Sequence, residues 1–108
     1  MDSVQHMVFC TCPDQDVASN IANALVDAKL AACVNIVPGL RSVYRWKGAR
    51  ENAEEVLLII KSRADDYAKL ETAVRALHPY ELPEIIAVPI NTGLPAYLAW
   101  IGRRGEDE

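Results

Sequence analysis

Two short stretches hold most of the side chains able to do chemistry. Cys10-Thr11-Cys12 places two thiols two residues apart, and His78-Pro79-Tyr80-Glu81-Leu82-Pro83-Glu84 gathers an imidazole, a phenol and two carboxylates. Thiolates suit soft ions such as Cu(I), and an imidazole can ligate a metal or carry a proton. Each chemical reading has a plain structural rival. Cysteine packs as a small, buried hydrophobe, and a histidine closing a helix can rest on its last carbonyls. The prolines fix φ and turn their preceding residues away from helix, so the linker is stiff. Tyr80, Glu81 and Glu84 could line a small polar pocket with Lys61 and Trp46. An ion pair between Glu84 and Lys61 is the simpler use of a carboxylate beside an apolar strand.

These residues need elements to hold them. Met7 to Cys12 is a short apolar run stopped by Pro13 and reads as a strand buried on both faces. Asp14 can cap the helix that follows. Val17, Ile21, Leu25 and Ala28 mark its apolar face, and Asp16, Asn20, Asn23 and Asp27 the polar one. Ala31 to Val37 returns to strand, with a turn or bulge at Pro38-Gly39, and resumes from Arg41 to Trp46. Period two sets Ser42, Tyr44 and Trp46 on one face of that segment. After Gly48, a strand from Glu54 to Lys61 turns Val56, Leu58 and Ile60 to one face and Leu57 and Ile59 to the other.

Ser62-Arg63-Ala64-Asp65 fits a capping box opening a second helix, whose apolar face is Tyr67, Leu70, Val74 and Leu77. That helix stops at His78. Glu84 to Ile90 is the fourth strand, and Leu94 to Ile101 a short terminal helix with Tyr97, Trp100 and Ile101 on one side. The order βαββαβ is that of a ferredoxin-like α+β domain: a four-stranded antiparallel sheet with helices on one face. Residues 1–6 and 102–108 read as flexible ends. Strands apolar on both faces leave surplus apolar surface in so short a chain, which points to association between subunits.

With 108 residues, the chain forms one domain with a single core. Hydrophobic residues make up 51% and charged ones 24%, an ordinary globular balance. The net charge of −4 argues against nucleic acid as a partner, despite the mix of aromatics and cations from Arg41 to Arg50. No apolar run spans a membrane. Three cysteines, an odd number without a secretory signal, predict reduced thiols and a cytoplasmic location.

Several motifs, in order over nearly the whole chain, resemble the CutA divalent-cation-tolerance family. They are Ala31-Ala32-Cys33-Val34-Asn35-Ile36, Tyr44-Arg45-Trp46-Lys47-Gly48, Ile60-Lys61, His78 to Ile85, and Tyr97-Leu98-Ala99-Trp100-Ile101. The resemblance implies a ferredoxin-like subunit in a homotrimer similar to PII signalling proteins. It further implies a non-enzymatic role in divalent metal tolerance, with copper as a candidate ligand. Cys10, Cys33 and His78 are the metal-site candidates, and Trp46, Lys61, Tyr80 and Glu84 the candidates for a small ligand. The family motif that this stretch resembles generally has a cysteine at one of positions 10 and 12 rather than both. Two other readings stand beside this one: a PII-like sensor taking a small anion between subunits, and a rigid trimeric scaffold presenting its hairpin or its acidic end, Glu106-Asp107-Glu108, to a protein partner. The sensor lacks a Gly-rich phosphate cradle.

Overall fold

A computed structural model describes residues 4–106. Its elements follow the predicted order: β1 (Gln5–Cys12), α1 (Gln15–Asp27), β2 (Cys33–Trp46), β3 (Ala49–Arg63), α2 (Tyr67–Leu77), β4 (Ile85–Pro89) and α3 (Pro95–Gly102). The sheet runs β2-β3-β1-β4 with every neighbouring pair antiparallel. Each crossover helix therefore joins strands separated by one other, which is the split arrangement expected of a ferredoxin-like domain. The β2–β3 hairpin is longer than its neighbours and draws the molecule out to 48 × 25 × 24 Å.

Register decides which side chains share a face. Val8, Ile60, Val34 and Ala87 stand in one row, and Cys10, Leu58, Ile36 and Ile85 in the next on the same face. Ile21 and Leu25 of α1 and Leu70 and Val74 of α2 join Val8, Cys10, Cys12, Leu58 and Ile60 in one fully buried cluster. At roughly 25 cal/mol per Å² of apolar surface, this cluster is the main stabilising term. The opposite face carries Phe9, Leu57, Ile59, Ile86 and Val88, of which Ile86 and Val88 remain 55% and 46% exposed. Among the helices of the described residues, α3 lies against one end of that face, where burial and then the Cys33 thiol hold the Tyr97 phenol above its usual range.

The local signals mostly hold. Asp14 Oδ1 accepts from the Val17 N–H at 2.9 Å, capping α1. Pro38-Gly39 marks the register shift between Val37 and Leu40 in β2, with Gly39 at φ +83°. Three expectations fail. The capping box does not form, because Ser62 and Arg63 pair with His6 and Gln5 and extend β3; a single 3-10 turn, Ala64–Asp66, then leads into α2 without a side-chain cap. The N-terminal end is not frayed at residues 5 and 6: Gln5 is buried in β1, and the His6 ring packs edge-on to Tyr67 at 6.3 Å. The C-terminal end is anchored as well. Arg104 holds the buried Asp66 carboxylate with Nε–Oδ2 at 2.9 Å and Nη2–Oδ1 at 3.0 Å, and Lys29 meets Glu106 at 2.6 Å. Residues 1–3, Asp107 and Glu108 lie outside the described residues.

Candidate functional site

His78 sits where α2 ends, its ring buried under the end of β1. Pro79 keeps the helix from continuing, and the ring is fixed by two main-chain bonds. The Tyr80 N–H donates to Nδ1 at 3.2 Å, and Nε2 lies 2.7 Å from the Thr11 carbonyl oxygen. Because Nδ1 accepts, Nε2 must carry the proton and donate, so the ring is the neutral tautomer. The helix C-terminal role is thus replaced by a tie between the linker and β1.

Cys10 and Cys12 point to the core face beside this ring and are fully buried. The two sulfurs and one His78 nitrogen lie within 4.8 Å of one another. Among the described residues this is the only set of three or more Cys, His, Asp or Glu side chains close enough to share an ion. The Cys12 sulfur beside it, followed by burial, pushes the Cys10 thiol up, while a hydrogen bond from Cys10 lowers Cys12 against the opposing effect of burial. One proton leaves the pair more readily than two, as expected of coupled groups in contact. The donor set is soft, and it suits a monovalent or borderline ion better than a hard, oxygen-seeking one.

Cys33 does not belong to this group. It pairs with Lys61 at the far end of β3 and faces the opposite side of the sheet, next to Tyr97. Of the predicted metal set, the fold brings Cys10 and His78 together and leaves Cys33 out. Cys12 takes its place. Two residues apart on a strand implies a shared face, and that spacing was the available signal.

The predicted ligand residues divide in the same way. Trp46, Tyr80 and Glu84 line a cleft of about 640 Å³ between the hairpin and the linker, together with Tyr44 and Glu55. Lys61 is not there; its ammonium donates to Asn35. Six residues of strand, about 20 Å, separate it from Glu55, so the expected Glu84–Lys61 ion pair is not formed. Glu55 was missed by sequence reasoning. It is a buried carboxylate on the face of β3 that also carries Leu57, Ile59 and Lys61, and the Tyr80 hydroxyl donates to its Oε2 at 2.6 Å. Burial and this carboxylate hold the Tyr80 phenol well above its ordinary range. Burial and then Glu55 also raise the Glu84 carboxyl. Such a wall disfavours an anionic ligand.

The sequence model of the CutA1 divalent ion tolerance protein family matches residues 6–104. The chain belongs to that family. The Divalent-cation tolerance protein CutA of Thermus thermophilus is 49% identical over 98 residues, which cover 91% of this chain and 95% of that one. Against the Protein CutA homolog of Xenopus laevis the identity is 50% over 94 residues, 87% of this chain but only 62% of the relative. The chain spans about half of the human Protein CutA, at 46% identity over 86% of its own length. Among solved structures, CutA from Xylella fastidiosa superposes with a TM-score of 0.91 at 45% identity, covering 94% of this chain and 98% of that one. CutA from Archaeoglobus fulgidus, described as periplasmic, gives 0.90 at 39% identity over 94% of this chain and 99% of the other. The CutA1 family accounts for the ferredoxin-like sheet and for a relation to divalent metals. No helix among the described residues is long and apolar enough to cross a membrane.

Proposed function

We propose that this CutA1-family protein handles metal as a non-enzymatic carrier, taking a soft ion, copper(I) foremost, on Cys10, Cys12 and His78. The observation that carries the reading is the convergence of two buried sulfurs and an imidazole nitrogen within 4.8 Å. Capture needs the Cys12 and Cys10 protons to leave and the His78 ring to give up the Tyr80 N–H, which frees the Nδ1 lone pair. Affinity therefore rises with pH, because each thiol must lose its proton to bind. An enzymatic use of the same dyad is disfavoured: the sulfurs have no exposure, and both ring nitrogens are engaged by main chain.

Competition against a chromogenic Cu(I) chelator tests the proposal. Cys10→Ala and Cys12→Ala should each weaken Cu(I) by at least about tenfold, the size of one lost ligand or supporting contact, and Cys33→Ala should leave it unchanged. Equal affinity in all three variants, or a loss confined to Cys33→Ala, rules this site out.

The reduced thiols the site requires fit a cytoplasmic setting, and all three cysteines are free. The apolar outer face of the sheet supports assembly with copies of itself as a homotrimer. Ile59→Lys, on that face, should convert the assembly to folded monomer in light scattering; an unchanged mass would reject the face as the interface.

A further inference from the structure

The helix-covered face of the sheet holds a polar pair that the metal site does not use. Ser62 of β3 stands directly opposite His6 of β1, one row beyond Ile60 and Val8 on the same face. Ser62 is 1% exposed, and α1 and α2 of the same chain cover this face, so its burial needs no second subunit. Neither the Ser62 Oγ nor the buried His6 Nδ1 has a hydrogen-bond partner among the described residues. Buried polar atoms are nearly always bonded, because a dry, unpaired one gives up its hydration without return.

The polar groups nearby are already engaged. The His6 ring meets Tyr67 edge-on at 6.3 Å, but the Tyr67 hydroxyl shares its proton between Glu71 Oε1 at 3.1 Å and the Ile85 carbonyl at 3.2 Å. Both carboxylate oxygens of Asp66, one residue earlier, hold Arg104. Residues directly opposed on one face keep their Cβ atoms about 5 Å apart, yet the hydroxyl and the ring nitrogen do not bond to each other. Such a separation suits one bridging molecule. Continuing the β2 register from Cys33 and Lys61 sets Ala32 beside Ser62, so two small side chains stand where the next row has Val34 and Ile60. The sheet is set back at that point by the missing methyl and methylene groups.

We infer that one internal water molecule is held between Ser62 Oγ and His6 Nδ1, tying β1 to β3 beneath the start of α2. Water both donates and accepts, so it satisfies the hydroxyl and either neutral tautomer of the ring. A metal ion fits less well, because His6 belongs to no group of three Cys, His, Asp or Glu ligands among the described residues. An apolar guest would leave both atoms unbonded.

High-resolution crystal structures of the full chain and of Ser62→Ala, with thermal melts of both, test the bridge. The unmodified chain should show one water at about 2.7–3.2 Å from both atoms. Ser62→Ala should lose that water and melt a few degrees lower, as expected when a satisfied buried hydroxyl is removed. A Ser62 hydroxyl bonded directly to the imidazole, or no density between the two atoms, would overturn the inference. So would a Ser62→Ala melt at or above that of the unmodified chain, the result expected when the hydroxyl removed was dry and unpaired.

Discussion

The same linker builds two regions of opposite character, one on either side of Pro79. Inward, His78 joins two thiols in a dry, neutral pocket where each ring nitrogen has a main-chain partner. Outward, the Tyr80 hydroxyl donates to Glu55 at the wall of an open cleft lined also by Glu81, Glu84 and Arg45. The two rings remain only 4.6 Å apart, centre to centre. What separates them is what each is built to exclude. The inner region shuts out water and favours soft donors. The outer one admits solvent and gathers charge.

Four measurements would break or sharpen that contrast. The largest effect should follow His78→Ala, which strands the Thr11 carbonyl and the Tyr80 N–H and opens space beside the core. The expected loss is roughly 3 kcal/mol in denaturant unfolding. A cost below about 1 kcal/mol, that of one ordinary hydrogen bond, would mean that the inner region is not held by this ring. Next comes thiol labelling of the native protein by an aromatic disulfide reagent. Cys33, partly exposed, should react first, and the buried Cys10 and Cys12 only with opening of the fold. Simultaneous reaction of all three would show that the inner pocket is open.

A smaller change is expected for Tyr80→Phe. It removes the hydroxyl that Glu55 accepts from and should cost about 1 kcal/mol, with Cu(I) affinity unaffected. The smallest concerns pH. Burial and then Glu55 raise the Glu84 carboxyl above its ordinary value of 4.5. Below that value both folded and unfolded chains hold the proton, and Glu84 has no effect on stability. As pH rises through 4.5 toward the raised folded value, the folded state keeps the proton longer, so stability falls, and above that value the deficit is constant. Glu84→Gln should abolish that fall in thermal melts. A wild-type profile identical to that of Glu84→Gln would remove the repulsion from the account of the cleft.

Much of the fold could be read in advance because it is written in periodicity. Alternation in β3, and Ile21 and Leu25 in α1, named the correct buried face, although Ala28 at the end of the four-four-three spacing lies exposed past the helix, and Asp14 declared its cap. The Ser62–Asp65 box misled because its signal is local, whereas the pairing of Ser62 with His6 across the sheet is not, and the longer-range ladder prevailed. The site was legible only as composition. Which members of the sets Cys10, Cys12, Cys33 and Trp46, Lys61, Glu84 meet depends on register along β3. The difference between Glu55 and Lys61 there is the length of a whole strand. Arg104 and Asp66 gave no sequence signal at all, being 38 residues apart and joined only when α3 docks.

The strand order has a consequence for how a buried thiol pair is supplied. β1 precedes the other three strands of the sheet in the chain, yet it lies inside the sheet and needs both β3 and β4 to close around it. Such distant pairings make closure late. During synthesis the nascent chain therefore carries Cys10 and Cys12 in the open until β4, through Pro89, has emerged. That exposure is confined to one time window. Pulse-labelling of ribosome-bound chains truncated before and after β4 would reveal its end as an abrupt loss of thiol reactivity.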